Sequence, residues 1–508
     1  YGVAGQGWFA GIASFKHSLK VSLFRGTSLN PVPPGGTGKD MRWLDLHEGD
    51  ALDESGDVDP DDEDDLRYKW SKALFRAHDA MLMLKDETRI QSEPWLSEIV
   101  DNVLKEIERH KTDGEWRLEY PDYEQPSVRE IYDHEWDGDL QKWKGKGYPI
   151  KVYKSMKARE LWDMLIRSAW SSAEPGVVFM ERYNKMSNSH YFNPIICTNP
   201  CGEQGLPGWG VCNLGHLYLA SFAKKVGEDE VGPIYEMDWD ALAQSSRRLS
   251  RFLDNVIDLT PYHFPENEKN QKGERRVGGG TLGLGELLIR LRMKYGSDGS
   301  LETINKIYKT IVVNMYLEST ELAQEKGAFP KFEAEKFIQS GFMQSMPDDV
   351  REAVREKCIR NVTLTTQAPT GTVGSMLGTS TGIEPYYAFE YYRQSRLGFH
   401  KVLIPMAQEY KQEAGKLPRY FASSMDLTPT EHIKVQAVVQ RWTDSSISKT
   451  ANAPEDYSVG DTKRLYELAY ELGCKGVTIY RDNCRNEQIL STSADTEAKN
   501  AASAEGKL

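Results

Sequence analysis

Apolar residues recur along this chain at two spacings, and each spacing predicts an element. Between positions 66 and 110, Ala73, Leu74, Ala77, Met81 and Leu82 fall three to four apart, on one face of a helix, where packing is their expected role. The stretch from Lys157 to Ile166 has the same period and predicts an amphipathic helix. It is followed at Glu174-Pro175-Gly176-Val177-Val178-Phe179 by a β-branched run that predicts a strand. Helix followed by strand is the alternation of an α/β protein. Short apolar runs such as Leu19 to Phe24 lie in the first 45 residues. Residues Glu268 to Arg276 are polar and charged, so no strand is expected before Val277-Gly278-Gly279-Gly280-Thr281-Leu282-Gly283. These glycines predict tight backbone packing at the start of a helix from Glu286 to Leu291. Acidic residues crowd positions 48–65 and predict a solvated loop, and the Ala/Ser/Glu/Lys-rich residues 491–508 predict a disordered polar tail.

At 508 residues the chain has room for one very large domain or about three ordinary ones. Its formal net charge of -13 argues against a nucleic-acid scaffold, because such domains are usually basic. No run of about 18 apolar residues exists, and the start lacks a basic region leading an apolar core, so no membrane or export segment is expected. Six cysteines, none before Cys197, are not a secreted disulfide framework, and a reducing cytoplasm is the expected location. A chain that begins at Tyr1 rather than Met reads as a processed chain or a fragment.

The chemistry concentrates in Cys197-Thr198-Asn199-Pro200-Cys201-Gly202-Glu203-Gln204, with Cys212 eleven positions after Cys201. If the segment is extended, Asn199, Cys201 and Glu203 point to one side and bring together an amide, a thiol and a carboxylate. That set suits work on a hydroxyl-bearing carbon, the carboxylate taking a proton while sulfur handles the neighbouring bond. Cys212 would return as a second thiol. The alternative is a pair of buried structural cysteines in a Gly/Pro turn.

Other motifs fall short of a function. Pro33 to Asp40 lacks the Gly and the Ser/Thr of a P-loop, and Asp45-Leu46-His47-Glu48-Gly49-Asp50 lacks the final Gly of a cobalamin-binding Asp-x-His-x-x-Gly. A calcium loop starting at Asp57 would need Gly at Asp62 and Glu at Tyr68, and no metal site is expected. Gly278, Gly280 and Gly283 satisfy Gly-x-Gly-x-x-Gly without a preceding strand, which disfavours a dinucleotide site. Ala368-Pro369-Thr370-Gly371-Thr372-Val373-Gly374 is more informative, since small and hydroxyl residues in a turn ahead of a helix present N–H groups to an oxyanion such as phosphate. The alternative there is an ordinary turn with a Thr cap.

Asn-Pro-Cys-Gly-Glu-Gln followed by Cys-Asn-Leu-Gly resembles the active-site signature of class II, adenosylcobalamin-dependent ribonucleotide reductases. The 368–376 stretch, Thr381-Gly382-Ile383-Glu384-Pro385, His432 to Thr450 and Gly473 to Arg481 follow the same order, so the resemblance runs from about Asp113 to Arg485. It implies an α/β fold, a ten-stranded barrel of two half-barrels over residues 111–490, with residues 1–110 divergent. It implies reduction of ribonucleotides to 2′-deoxyribonucleotides, diphosphates before triphosphates, with adenosylcobalamin as cofactor. Residue by residue, Cys201 resembles the thiyl radical that removes the ribose 3′-hydrogen, Glu203 the base for the 3′-hydroxyl, Asn199 the amide on the ribose hydroxyls and Cys212 one of two reducing thiols. Pro200 and Gly202 flank the substrate, and Pro369, Thr370, Gly371, Thr372 and Val373 resemble its phosphate site. Implied partners are a thioredoxin-like dithiol reductant and a second copy of the chain. Because no cysteine precedes Cys197 and only a polar tail follows Cys484, a separate chain supplying redox cysteines is also expected. The rival readings are a fragment, a split enzyme or a catalytically impaired nucleotide-binding relative.

Overall fold

A computed structural model describes residues 114–485, apart from 137, 139, 396–397 and 408–416, together with strand backbones at 10–15, 18–24, 41–48 and 490–491. The expected helices of 66–110, nearly all of the acidic run and the polar tail lie outside the described residues.

The part that carries the site is a parallel ladder. Strand Asn213–Tyr218 pairs in parallel with Val277–Leu282, and Gly279 bridges in parallel to Thr365. Gln367 bridges in parallel to Ile447, so four segments far apart in sequence lie side by side. Parallel neighbours need crossovers. Here these contain the helices Trp239–Leu259 and Pro265–Glu274, then Asp298–Lys326, then Pro429–Gln440. A second piece pairs Thr450–Ala453 in parallel with Gly476–Arg481 across the helix Val459–Glu471, and Gly476–Arg481 pairs antiparallel with Val177–Val178. Ahead of both, Ala10–Phe15, Ser18–Phe24, Met41–Glu48, Glu115–Pro121 and Ile150–Lys157 form an antiparallel sheet in chain order. The fold is α/β, and among the described residues these strands do not close into a ring.

Local sequence explains the helices. Asp238 caps Trp239–Leu259 by accepting from Ala241 N, and Ser297 caps Asp298–Lys326 by accepting from Ser300 N. The 29-residue helix buries Ile304, Ile307, Tyr308, Ile311, Val312, Met315, Tyr316 and Ser319, an i, i+3, i+4, i+7 stripe. Each large apolar side chain on it is worth roughly 1.5–3 kcal/mol when fully buried. Ser250 on the neighbouring helix lets the two approach until its Oγ donates to Met315 O at 3.3 Å. The helix expected from Lys157 is present as Ala158–Ser172, and the β-branched run after it is the short strand Val177–Val178.

One expectation is corrected. The glycines 278–280 are not the lead-in to a helix but the strand Val277–Leu282 itself, and the charged stretch before it is the helix Pro265–Glu274. The helix after it spans Leu284–Arg290. The tight packing is real and has a specific cause. A Cβ on Gly278 would sit 2.6 Å from Gln204 Nε2 and 2.7 Å from Thr366 Cγ2, and one on Gly280 would sit 2.6 Å from Thr366 O and 2.7 Å from His216 Cδ2. Glycine is required so that the neighbouring segments can close on this strand from the side that carries the site.

Gly280→Ala therefore pushes on backbone and should cost roughly 1–3 kcal/mol of overpacking. Gly299→Ala, where no atom lies within 4 Å of the added carbon, should hold or gain up to about 1 kcal/mol. Urea midpoints of the two variants check the contrast, and equal midpoints would contradict it.

Candidate active site

The catalytic candidates sit on a hairpin. Cys197–Thr198 pairs antiparallel with Gly205–Leu206, and the residues between them turn. Asn199 N donates to Gln204 O at 3.0 Å, Gln204 N to Asn199 Oδ1 at 3.0 Å, and Gly202 N to Asn199 O at 3.0 Å. The extended arrangement expected for Asn199, Cys201 and Glu203 is thus replaced by a β-turn, with Gly202 at φ 78°. Asn-Pro-x-Gly is itself a turn signature, Asn at the first position and Pro at the second, and was the available signal.

The turn still gathers the predicted residues. Pro200 is exposed, Cys201 half-buried, and Glu203 only 2% exposed. Burial, and then the negative charge of Glu203, push the Cys201 thiol above its usual range. Burial likewise raises the Glu203 carboxyl, with the Asn199 amide pulling the other way. Burial is also what pushes Cys212 up, with Arg276 opposing and Asp444 and Glu203 adding to the rise. The structure therefore brings Asn199, Cys201, Glu203 and Cys212 into one electrostatic neighbourhood. All six cysteines are free.

What holds the turn comes from elsewhere in the chain. Ser446 N donates to Glu203 O at 2.9 Å, and Thr366 Oγ1 donates to the same oxygen at 2.8 Å. Gly205 N donates to the buried Tyr183 hydroxyl at 2.6 Å, and Ser445 Oγ to Gln204 Oε1 at 3.3 Å. Asp444 fixes the segment behind, its carboxylate accepting from Leu364 N at 2.6 Å, Thr365 N at 2.9 Å and Tyr316 Oη at 2.8 Å.

Several polar atoms are buried here without a hydrogen-bond partner among the described residues: Glu203 Oε2, Gln204 Nε2, Ser446 Oγ and His216 Nε2. Unsatisfied buried groups are rare and costly. Gln204 and His216 lie over Gly278 and Gly280, beside Thr366, so a polar ligand at this place would meet donors and acceptors together. Burial drops the His216 imidazole to about 4, leaving it neutral. Sequence reasoning missed His216, Thr366 and Asp444 as site residues, because only the ladder brings them to the turn.

The second stretch is a separate turn and helix. Pro369 and Thr370 are half-buried, and Gly371, Thr372 and Val373 are exposed at the start of the helix Gly371–Leu377. Thr370 has a left-handed backbone at φ 47° and its Oγ1 accepts from Gly382 N at 2.8 Å. Behind it, Glu384 pairs with the buried Lys449 and accepts from Thr450 N at 2.7 Å. Lys449 also donates to His432 Nδ1 at 3.0 Å. The Gly382 to Glu384 loop under the turn is thereby tied to the second piece of sheet.

Comparison with known proteins identifies the family. The family described as "Ribonucleotide reductase, barrel domain" matches residues 85–480. The chain is 31% identical over 376 residues to a vitamin B12-dependent ribonucleoside-diphosphate reductase of Thermoplasma acidophilum, covering 69% of this chain and 45% of that one. It is 32% identical over 368 residues to one from Mycobacterium tuberculosis, covering 68% and 50%. A ribonucleoside-diphosphate reductase large subunit of Danio rerio is 25% identical over 407 residues, covering 77% and 47%. The chain spans about half the length of these curated relatives. With the family matched across most of its length and the turn, its neighbouring thiol and its ladder in place, the chain belongs to the ribonucleotide reductase barrel-domain family.

Proposed function

We propose that this chain reduces ribonucleoside diphosphates to 2′-deoxyribonucleotides for DNA precursor synthesis by a thiyl-radical mechanism, using residues 111–490 as a ten-stranded α/β barrel of two half-barrels. The observation that carries the reading is the direction in which both site thiols are pushed. A nucleophilic cysteine needs a lowered pKa to act as thiolate. Cys201 and Cys212 are raised instead, by burial and by Glu203, so both stay as S–H. That is the form from which a hydrogen atom is removed or given.

In this reading Cys201 Sγ, as a radical, takes the ribose 3′-hydrogen, an S–H bond forming as the C3′–H bond breaks. Glu203 accepts the 3′-hydroxyl proton, and the Asn199 amide orients the hydroxyls. The 2′-hydroxyl leaves as water. Cys212 and a second thiol supply the two electrons and two protons and end as a disulfide, Glu203 gives its proton back to the 3′-oxygen, and Cys201 returns its hydrogen to C3′, which regenerates the sulfur radical. A dithiol reductant of thioredoxin type then reopens the disulfide by exchange. A partner chain carrying further redox cysteines and a homodimer belong to the same proposal, as does a cytoplasmic setting. Phosphates of the substrate lie at Pro369 to Val373, against the N–H groups that begin the short helix there. Enclosure keeps water and stray hydrogen donors from the sulfur radical.

The relatives named vitamin B12-dependent support adenosylcobalamin as the radical source. The turn fits such a source at one point: Pro200 is exposed, Cys201 half-buried, and nothing lies within 4 Å of where a Gly202 side chain would begin. Pro200 and Gly202, which flank the substrate in this reading, are with Cys201 the residues that would also face the cofactor. When bound, adenosylcobalamin supplies by homolysis the radical that removes the Sγ hydrogen.

Three outcomes test the reading. Cys201→Ser should drop deoxynucleotide formation below ~1% of wild type, since an O–H bond is too strong to give up its hydrogen, while nucleotide affinity stays within about twofold. Product formation near the wild-type rate would sink the radical role. Because Glu203 must be ionised to accept a proton and its carboxyl is raised by burial, the acid limb of kcat/KM should lie above the free carboxylate range. Glu203→Gln should remove that limb, and an unchanged profile would assign the proton elsewhere. Gly371→Val is compatible with the fold, as no atom crowds that position, yet it blocks backbone approach to a phosphate. It should weaken nucleoside diphosphate binding about tenfold or more by calorimetry. Unchanged affinity would reduce the stretch to an ordinary turn.

A further inference from the structure

Lys475 is buried to 1% exposure and takes no part in the chemistry just described. Its ammonium donates to three successive main-chain carbonyls, Thr443 O at 3.3 Å, Asp444 O at 2.6 Å and Ser445 O at 2.7 Å. These carbonyls follow the C-terminal end of the helix Pro429–Gln440, where carbonyl oxygens lack helical partners and the helix dipole is negative. A buried cation there serves all three with all three ammonium hydrogens, while Gln440 Nε2 also donates to Thr443 O at 3.1 Å and Ser445 O at 3.2 Å, so Asp444 O is the one that has the ammonium alone among these side-chain donors. The same ammonium lies 4.9 Å from the centre of the Tyr183 ring, in cation–π range.

Both contacts lead to the turn that carries Cys201. The gathered segment continues into Ser446, whose N–H donates to Glu203 O, and Ser445 Oγ reaches Gln204 Oε1. Tyr183, on the other side, offers its hydroxyl to Gly205 N. The Lys475 backbone joins the two sides again, with Phe179 N donating to Lys475 O at 2.9 Å just ahead of the helix Met180–Met186 that carries Tyr183. The turn is thus gripped at Glu203 and at Gly205, and one ammonium stands behind both grips. Burial pulls that ammonium down to about 7, with the nearby Asp444 opposing the drop.

We propose that Lys475 is a positioning residue of the catalytic turn: it sets where Cys201 and Glu203 lie by fixing Ser446 on one side and Tyr183 on the other. The catalytic role of the turn rests on the reading above, but the placement of Cys201 does not, and it is measurable without nucleotide or cofactor. The experiment is timed alkylation by iodoacetamide of the full 508-residue chain, read by peptide mass spectrometry, with Cys358 as a remote reference. In Lys475→Met the turn loses its support, and Cys201 labelling should rise about fivefold or more while Cys358 labelling stays within about twofold. Lys475→Gln, which keeps two N–H donors, should give a smaller rise at Cys201 and is the variant to read where Met does not fold. Unchanged Cys201 labelling in either folded variant overturns the proposal. So does a parallel rise at Cys201 and Cys358, which marks general loosening. Because the labelling needs no turnover, a chain that showed the local rise yet bound no nucleotide would refute the functional reading and leave this inference standing.

Discussion

A carboxyl group can be buried beside two thiols only if the backbone that carries it is held by hydrogen bonds from outside. Glu203 meets that condition in an uncommon way, since its carbonyl oxygen takes two donors, Ser446 N and Thr366 Oγ1, while its carboxyl oxygen Oε2 takes none. The main-chain carbonyl is doubly satisfied, while one carboxyl oxygen has no partner among the described residues. That split is what a site poised for a ligand requires, because the cost of the unpaired oxygen is recovered only when a polar group arrives.

The rest of the fold follows from supplying those outside donors. Thr366 and Ser446 reach Glu203 because the 363–367 and 445–448 segments run side by side, and Thr366 also reaches the glycine strand because Gly278 and Gly280 have no side chains to keep it away. The same strand presents Gly279 to the other side, where Met315 and Leu249 of the long helices close in. One run of three glycines therefore sets the distance between helical layer, strand and the turn that carries Cys201. Charge is arranged on the same plan. Arg275 is bound to Asp254 at 2.7 Å and Asp258 at 2.8 Å, and Arg276 to Glu274 at 3.0 Å, immediately before the glycines, so the strand enters the site from a fixed, paired anchor. Breaking such buried pairs leaves an uncompensated charge, which costs more than the pair itself contributes.

Local chemistry was legible in the sequence and long-range pairing was not. The helix Ala158–Ser172 could be read because its apolar period is local, and the turn and helix at Thr370 could be read because hydroxyl and glycine residues act on their own neighbours. Asn199, Cys201, Glu203 and Cys212 were singled out by type, spacing and family resemblance, although the backbone of the first three was taken as a strand where it turns. The glycine strand was misread for a physical reason: glycine has low strand propensity, and nothing within 277–283 tells that Thr366 and His216 need the space. Asp444 and Lys475 lie about 240 and 270 residues beyond the turn they support and carry no local motif.

Burial also explains why one site holds thiols, a carboxyl and a lysine without forming the ion pairs they would form in water. Each is moved toward its neutral form: Cys201, Cys212 and Glu203 upward, Lys475 downward. Desolvation is the largest cause in all four, so the direction is set by the enclosure rather than by any one partner. An enclosure that disfavours charge on sulfur will not stabilise a thiolate, which removes the nucleophilic chemistry that a cysteine beside a base would otherwise invite. The enclosure that makes Glu203 a stronger base thus acts on Cys201 in the opposite chemical sense, keeping its hydrogen on sulfur, which is the form the proposed radical chemistry needs.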